Sequence, residues 1–416
     1  MLPKKPSILE IAFVILVVAG CVALGVDMQS PNWTFPFFSG AEQVLSQGQW
    51  LISKSDYYKF VGLSELEKLR FNFSDGQDPE DLVGYTFWST GFVHVIILAK
   101  LLLPFIPPIL ALVVLQVIIH CLICVAVVRQ FSETYLKLLF IVLYGLNPVA
   151  LKFVCFAFYY FWQIIPSFFL VLYLLDKKSW GAYLLPVAVV LGFSLGIRGT
   201  SLLVVLAFLL LCVWRERSSL SLISIALVFG IKVFLYSGDA VPWHTMYIGV
   251  GGYENPHGVF LSDSAGYKLF KEKTGIVIDT TAVSGNFYDA ETRANYFGVV
   301  KEGYLTILKE SPLLLFSNAI KNTLAGYSFG YFVGSPLLQW SAIISGGSFG
   351  LILLALRQYL WFLAIGLSLI TFTSFYPPIP AYMYGSYLII VVAFLRILKP
   401  LHCKIHKAGF ISRPKG

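Results

Sequence analysis

A chain that returns again and again to long apolar runs broken by short charged segments has few ways to fold, because each run must be kept from water along its length. In this sequence such runs cover residues 8–26, 108–128, 138–151, 158–175, 180–197, 200–213, 220–236, 338–356, 359–375 and 383–397. Only 12% of the 416 residues are charged and 57% are hydrophobic, against roughly 25% charged in a typical soluble domain. The pattern predicts an all-α polytopic membrane protein with about 10 (10–12) transmembrane helices and two large extracytoplasmic loops. The higher counts apply if runs 86–105 and 313–333 also cross.

Charge placement orients the chain. Lys4, Lys5, Arg129, Lys137, Lys177, Lys178, Arg215, Arg217, Arg357 and the tail residues from Arg396 to Lys415 fall in the breaks that should share one side. The positive-inside rule then puts both termini in the cytoplasm of a multi-pass protein of the plasma (inner) membrane. The same placement accounts for the formal net charge of +8, so nucleic acid is not expected as a partner. The first run is too long for a signal peptide and lacks a clear small-residue cleavage site. Run 86–105 carries His94 and Lys100, which are costly in lipid, and is expected to lie along or dip into the outer interface.

Two long polar segments, 27–106 and 237–337, then face each other on the outer side. The chain divides into an N-terminal module 1–236 that carries the first loop, the second loop 237–337 with interfacial helices, and 338–416 with the last helices and a basic tail. Within the first loop, residues 39–53 have helical spacing with Glu42 on the polar side, and 64–70 reads as a short charged helix. Cys121 and Cys124 form a CxxC, but it lies inside an apolar run with no second pair, so neither zinc nor redox chemistry is expected there.

The second loop is the more distinctive. WHTMYIGVGGYENPHG, residues 243–258, concentrates Gly249, Gly251, Gly252 and Gly258 with Asn255-Pro256, which calls for tight turns. The glycine run lacks the GK[ST] ending and strand-loop-helix setting of a phosphate loop. His244, Glu254, His257 and Asp263 match no standard metal-ligand spacing and read first as a solvated loop. Trp243, Tyr247, Tyr253 and Phe260 suit stacking on sugar rings or seating a loop at a bilayer interface, and both readings stay open.

The order of parts resembles the GT-C superfamily of integral membrane glycosyltransferases, which includes protein O-mannosyltransferases and the aminoarabinose transferases of lipid A. The features that carry the likeness are Asp27 just past the first run, the interfacial run after Tyr85, LYGLNP (143–148), GFSLGIRGTSLL (192–203) and FYPPIPAY (375–382). The resemblance implies a polyprenyl-phosphate-linked sugar donor, an outer-face glycan, lipid or protein acceptor, an inverting single displacement, and a partner enzyme that charges the carrier lipid. It also implies an essential acid at Asp27. Many relatives have a pair of acids there, whereas Met28 follows here and the next acid is Glu42. One carboxylate is a poor divalent-cation site, so no cofactor is assigned, although a divalent cation stays open.

Such a transfer needs a base for the acceptor's proton and cations for the leaving phosphate. Asp27 is the expected base and Glu42 the second choice; Asp27 as a plain helix-end acid is the alternative. Arg198, in a Gly-Ile-Arg-Gly-Thr turn at the outer edge, is the expected phosphate ligand, with Lys152 second. An interfacial snorkelling role is the alternative for both. Lys100 and Lys321 are weaker cations, and His94, Trp243, His244, Tyr253 and His257 are the expected substrate contacts. Two other functions stay open. An O-antigen-type polymerase would want more loop arginines than Arg70 and Arg293. A non-enzymatic lipid-linked glycan transporter or flippase would often show an internal repeat, and none is found.

Overall fold

The computed structural model describes residues 5–73, 78, 80–84, 89–176, 179–235, 242–278, 290–330 and 335–407. Its first part runs α1 (Ile8–Leu24), α2 (Pro31–Gln47), β1 (Leu51–Ser53), α3 (Lys54–Gly62), α4 (Glu65–Leu69), β2 (Leu82–Gly84), α5 (Thr90–Leu102) and α6 (Pro108–Val128). Next come α7 (Thr134–Phe140), a π turn Ile141–Gly145, α8 (Pro148–Val154), a 3-10 turn Tyr159–Gln163, α9 (Ile164–Leu175), α10 (Leu184–Ile197), α11 (Leu202–Glu216) and α12 (Ser219–Phe234). The remainder is α13 (Trp243–Gly249), α14 (Asp263–Thr274), α15 (Ala290–Glu310), α16 (Pro312–Gly326), α17 (Pro336–Ala355), α18 (Tyr359–Thr373) and α19 (Pro380–Lys407).

Among the described residues four helices are long and apolar enough to cross a membrane: α6, Gly199–Glu216, α17, and Pro380–Lys399 at the start of α19. The pair Thr134–Gly145 and Pro148–Val154 would make a fifth, bent by 57°. The bend follows from Pro148, which cannot continue a helix inward from Asn147, and from Asn147 capping the new helix through Val149 N. Six shorter apolar helices accompany them, α1, α5 and α18 included. These elements fit a helical membrane protein. The run 313–333 becomes α16 up to Gly326, which is not among the apolar helices that qualify as spans.

Ion pairs at helix ends show which ends lie together. Glu10, in the first turn of α1, accepts from Arg129 Nε (2.8 Å) and Nη2 (3.0 Å) just past α6. Lys399 in α19 meets Glu133 before α7 at 2.9 Å. Glu216 at the end of α11 accepts from Tyr173 and from the Trp180 N–H, both 3.1 Å away, so α9, α10 and α11 also meet at their ends. At the opposite end, Asp27 forms a parallel bridge with Phe156, and the Thr90 hydroxyl donates to the Leu235 carbonyl. The chain therefore begins α5 at this second end and, five residues after leaving it, begins α6 there as well. Helix α5 is 13 residues long and counts among the shorter apolar helices. Its cation is neutralised, since Lys100 pairs with Glu42 of α2.

One local departure has a simple cause. Residues 39–53 are not one helix: Gly48 adopts φ 70° and ends α2, so Leu51–Ser53 is free to pair antiparallel with Leu82–Gly84. Asp81 closes that ribbon, accepting from Ser53 Oγ (2.5 Å), Ser55 N (2.7 Å) and Ser55 Oγ (3.0 Å).

Helices α13 to α15 form a cap with its own core of Tyr247, Ile248, Phe270, Tyr296 and Val300, which Tyr376 joins from the bundle. Glycines seat this cap. A Cβ on Gly249 would stand 2.0 Å from the Phe375 carbonyl oxygen, and one on Gly252 would stand 3.1 Å from Pro377. Only glycine lets the two backbones approach so closely.

Candidate functional site

Arg198 leaves α10 in extended conformation (φ −152°, ψ 117°) and turns its guanidinium into a cage of three tyrosines. The guanidinium carbon lies 4.2 Å from the centroid of Tyr382, 4.9 Å from Tyr160 and 5.1 Å from Tyr159. Each such contact contributes about 0.5–2 kcal/mol. Its Nη1 is buried and, among the described residues, has no hydrogen-bond partner. A buried donor left unmade costs about 1–3 kcal/mol, so the cage has unused capacity for an anion.

Three elements build the cage and two glutamines hold it. Gln116, fully buried in α6, donates to the Val154 and Phe156 carbonyls (2.8 and 3.0 Å) and accepts from Trp162 Nε1 at 3.1 Å. That satisfies the chain where it is neither helix nor strand. Gln163 donates to the Tyr160 carbonyl at 3.1 Å and to Ala381 at 2.8 Å, tying the 3-10 turn to the start of α19. Gln116 stands eight residues into α6, so this level lies roughly 12 Å inside that helix's end.

Asp27 borders the same cage. Its backbone N–H donates to the Cys155 carbonyl at 3.0 Å and its carbonyl accepts from Ala157 N at 2.9 Å. Its bridge partner Phe156 stacks on Tyr160 with centroids 6.0 Å apart. The Asp27 carboxylate itself is exposed and accepts from Met28 N at 2.9 Å.

From the cap side comes a second acid. His244 lies between Tyr296, whose hydroxyl is 2.5 Å from Nδ1, and Asp263, whose carboxylate is 3.1 Å from Nε2. Asp263 also sits within electrostatic range of Tyr376 and Tyr382, and Arg198 acts on the same two hydroxyls. Those two tyrosine rings are 4.9 Å apart. Burial, with neighbouring Tyr382 and the Asp263 charge, pushes the Tyr376 hydroxyl well above its ordinary pKa, so it stays a proton donor. Against family models, curated proteins and solved structures, this chain has no match.

The other expected residues go elsewhere. Glu42 is held by Lys100 rather than offered to the cage, and His94 is fixed by the Thr90 carbonyl at 2.8 Å beside Trp50. Lys152 is exposed in the last turn of α8. Trp243 lies under Lys301, and Tyr253 under Lys321. His257 bonds Ser311 at 3.0 Å and faces Glu310; it lines a surface hollow of about 200 Å³ with Tyr247, Lys273 and Glu302. Of the four loop residues weighed as metal ligands, only His244 and Asp263 meet. Among the described residues no three His, Cys, Asp or Glu side chains gather as a metal site.

Tyr159, Tyr160, Tyr382, Gln116, Gln163 and Tyr296 were not singled out from sequence. A glutamine at mid-run is the one signal that could have pointed here, since a polar side chain in an apolar span must find partners.

Proposed function

We propose that the chain is a GT-C-like membrane glycosyltransferase that moves a sugar from polyprenyl phosphate to an extracytoplasmic glycan, lipid or protein acceptor. In this reading about ten helices cross the plasma membrane, both termini are cytoplasmic, and the cap with the Asp27 end of the bundle faces outward. The observation that carries it is Arg198, a half-buried cation whose buried Nη1 has no hydrogen-bond partner and which forms no ion pair with a carboxylate among the described residues. A fork of N–H donors in an aromatic cage suits a lipid-linked phosphate, and its charge would meet the negative charge that builds on the departing phosphate. Of the acids singled out, Asp263 acts on Tyr382 of the cage, while Asp27 reaches it through its backbone bridge to Phe156, which stacks on Tyr160. The donor lipid must be charged by another enzyme.

The test is release of polyprenyl phosphate from synthetic polyprenyl-phosphate hexoses and pentoses by the purified protein in liposomes, with cell-envelope extract as acceptor. Wild type should release it. Arg198→Gln should lose about a hundredfold or more in rate, and Arg198→Lys should recover only part, because a point charge cannot replace the fork. Direct use of a nucleotide sugar by wild type would sink the reading. A lipid-linked glycan transporter is the second reading, favoured by the 57° break between α7 and α8, since broken helices often line transport sites. It predicts movement of the intact donor across the bilayer with no phosphate released.

A further inference from the structure

Resting on the transferase reading, we propose that Asp263 is the carboxylate that takes the proton of the attacking hydroxyl, with His244 and Tyr296 as positioning residues that aim it. The three side chains form one chain from dry to wet. Tyr296 is fully buried in the cap, His244 is one-fifth exposed, and Asp263 is 55% exposed. An ionised carboxylate only accepts, so His244 Nε2 carries the proton toward Asp263. That leaves neutral Nδ1 as the acceptor of the Tyr296 hydroxyl. Burial and neighbouring charge hold that hydroxyl far above its ordinary pKa, so it remains a donor.

The cap is shaped for this arrangement. A Cβ at Gly266, one turn along α14 from Asp263, would stand 2.3 Å from Tyr296 Oη and 3.1 Å from His244 Nδ1. The ring of Tyr267 lies over His244, 6.0 Å between centroids at 25°. Both ring nitrogens of His244 are engaged, so the imidazole has no lone pair to offer a substrate, and the group with open sites is Asp263. Asp263 acts electrostatically on Tyr382, whose ring is 4.2 Å from the Arg198 guanidinium, so a proton acceptor and an anion holder act on the same tyrosine. Asp27, by contrast, is engaged by its own Met28 N–H.

The step balances with these groups alone. The acceptor O–H bond breaks and its proton moves to the Asp263 carboxylate. The oxygen's electron pair forms the new bond to the sugar's anomeric carbon. The bond from that carbon to the phosphate oxygen breaks, and its electrons stay on polyprenyl phosphate, where Arg198 meets them.

The outer-face glycan profile of a deletion strain first identifies the sugar that is lost, and membranes from matched strains are then assayed for transfer of that sugar. Asp263→Asn at wild-type membrane level should lower transfer about a hundredfold or more, and Asp263→Glu should restore part of it. Tyr296→Phe should lower kcat more than KM and displace the acidic limb of the pH–rate profile, as expected if it acts through His244. Should Asp263→Asn keep a third or more of wild-type transfer, the assignment fails while the transferase reading stands. If Asp263→Asn does not accumulate, Tyr296→Phe decides, and a kcat and pH profile that coincide with wild type overturn the proposal. A deletion that leaves every outer glycan unchanged removes the transferase reading and this assignment together.

Discussion

Asp81 shows how a single side chain can hold an irregular loop. Partial burial pushes its pKa up, but hydrogen bonds from Ser53 and Ser55 outweigh this and hold it below the ordinary value of 3.8. A depressed carboxylate stabilises the fold above its unfolded pKa, and that contribution disappears as pH falls through the folded value. Amide exchange at residues 51–55, corrected for intrinsic rates, should therefore lose protection only below about pH 4. In Asp81→Asn the same amides should be about 1 kcal/mol less protected at neutral pH and show no further acid loss. At this scale the sequence was legible for Arg198, whose glycine-flanked turn marked it. It was illegible for the tyrosines around it, because an adjacent pair, Tyr159 and Tyr160, and a third ring more than two hundred residues on, Tyr382, carry no periodic signal. His244 and Asp263 were noticed as metal candidates, but their pairing with Tyr296 depends on how α13, α14 and α15 pack, which spacing alone does not contain.

Helices and turns were read more readily. The Pro-rich FYPPIPAY segment stands just before the last apolar run, and α19 starts within it at Pro380. The Gly249–Gly252 run was read as lacking the marks of a phosphate loop, and the seat it makes on Phe375 and Pro377 emerges only from the packing. Asn255 closes the turn that follows, with its amide donating to Val259 O at 2.8 Å. Gly249→Ala forces a methyl against a backbone carbonyl and should cost about 1–3 kcal/mol of cap docking. Limited proteolysis of detergent-purified protein should then cut between α12 and α16 at a lower protease dose than wild type. Equal resistance would mean that the cap does not depend on this seat. The ribbon β1–β2 escaped the sequence reading because three-residue strands are too short for alternation to register.

At the scale of the whole chain, apolar runs gave nearly every bundle helix, since in lipid the hydrogen-bonding demands of the backbone leave helix as the default. Which runs cross is harder, as several are shorter than a bilayer is thick. Sidedness has a direct test. With Cys403→Ser as background, the remaining described cysteines are buried. A membrane-impermeant thiol reagent applied to intact cells should label Glu254→Cys in the cap and spare Gln130→Cys beside Arg129, and the pattern should reverse in inverted vesicles. Labelling of both from one side would refute the arrangement of ends.

The walls of the cage differ in when the ribosome delivers them. Asp27, Tyr159, Tyr160 and Arg198 come early, the cap acids come later, and Tyr382 with the platform for Gly249 comes after all of them. Until α19 has emerged, Arg198 lacks its nearest ring and the cap has no seat. A nascent or prematurely stopped chain thus carries Arg198 without its nearest ring and its cap without the platform that seats it.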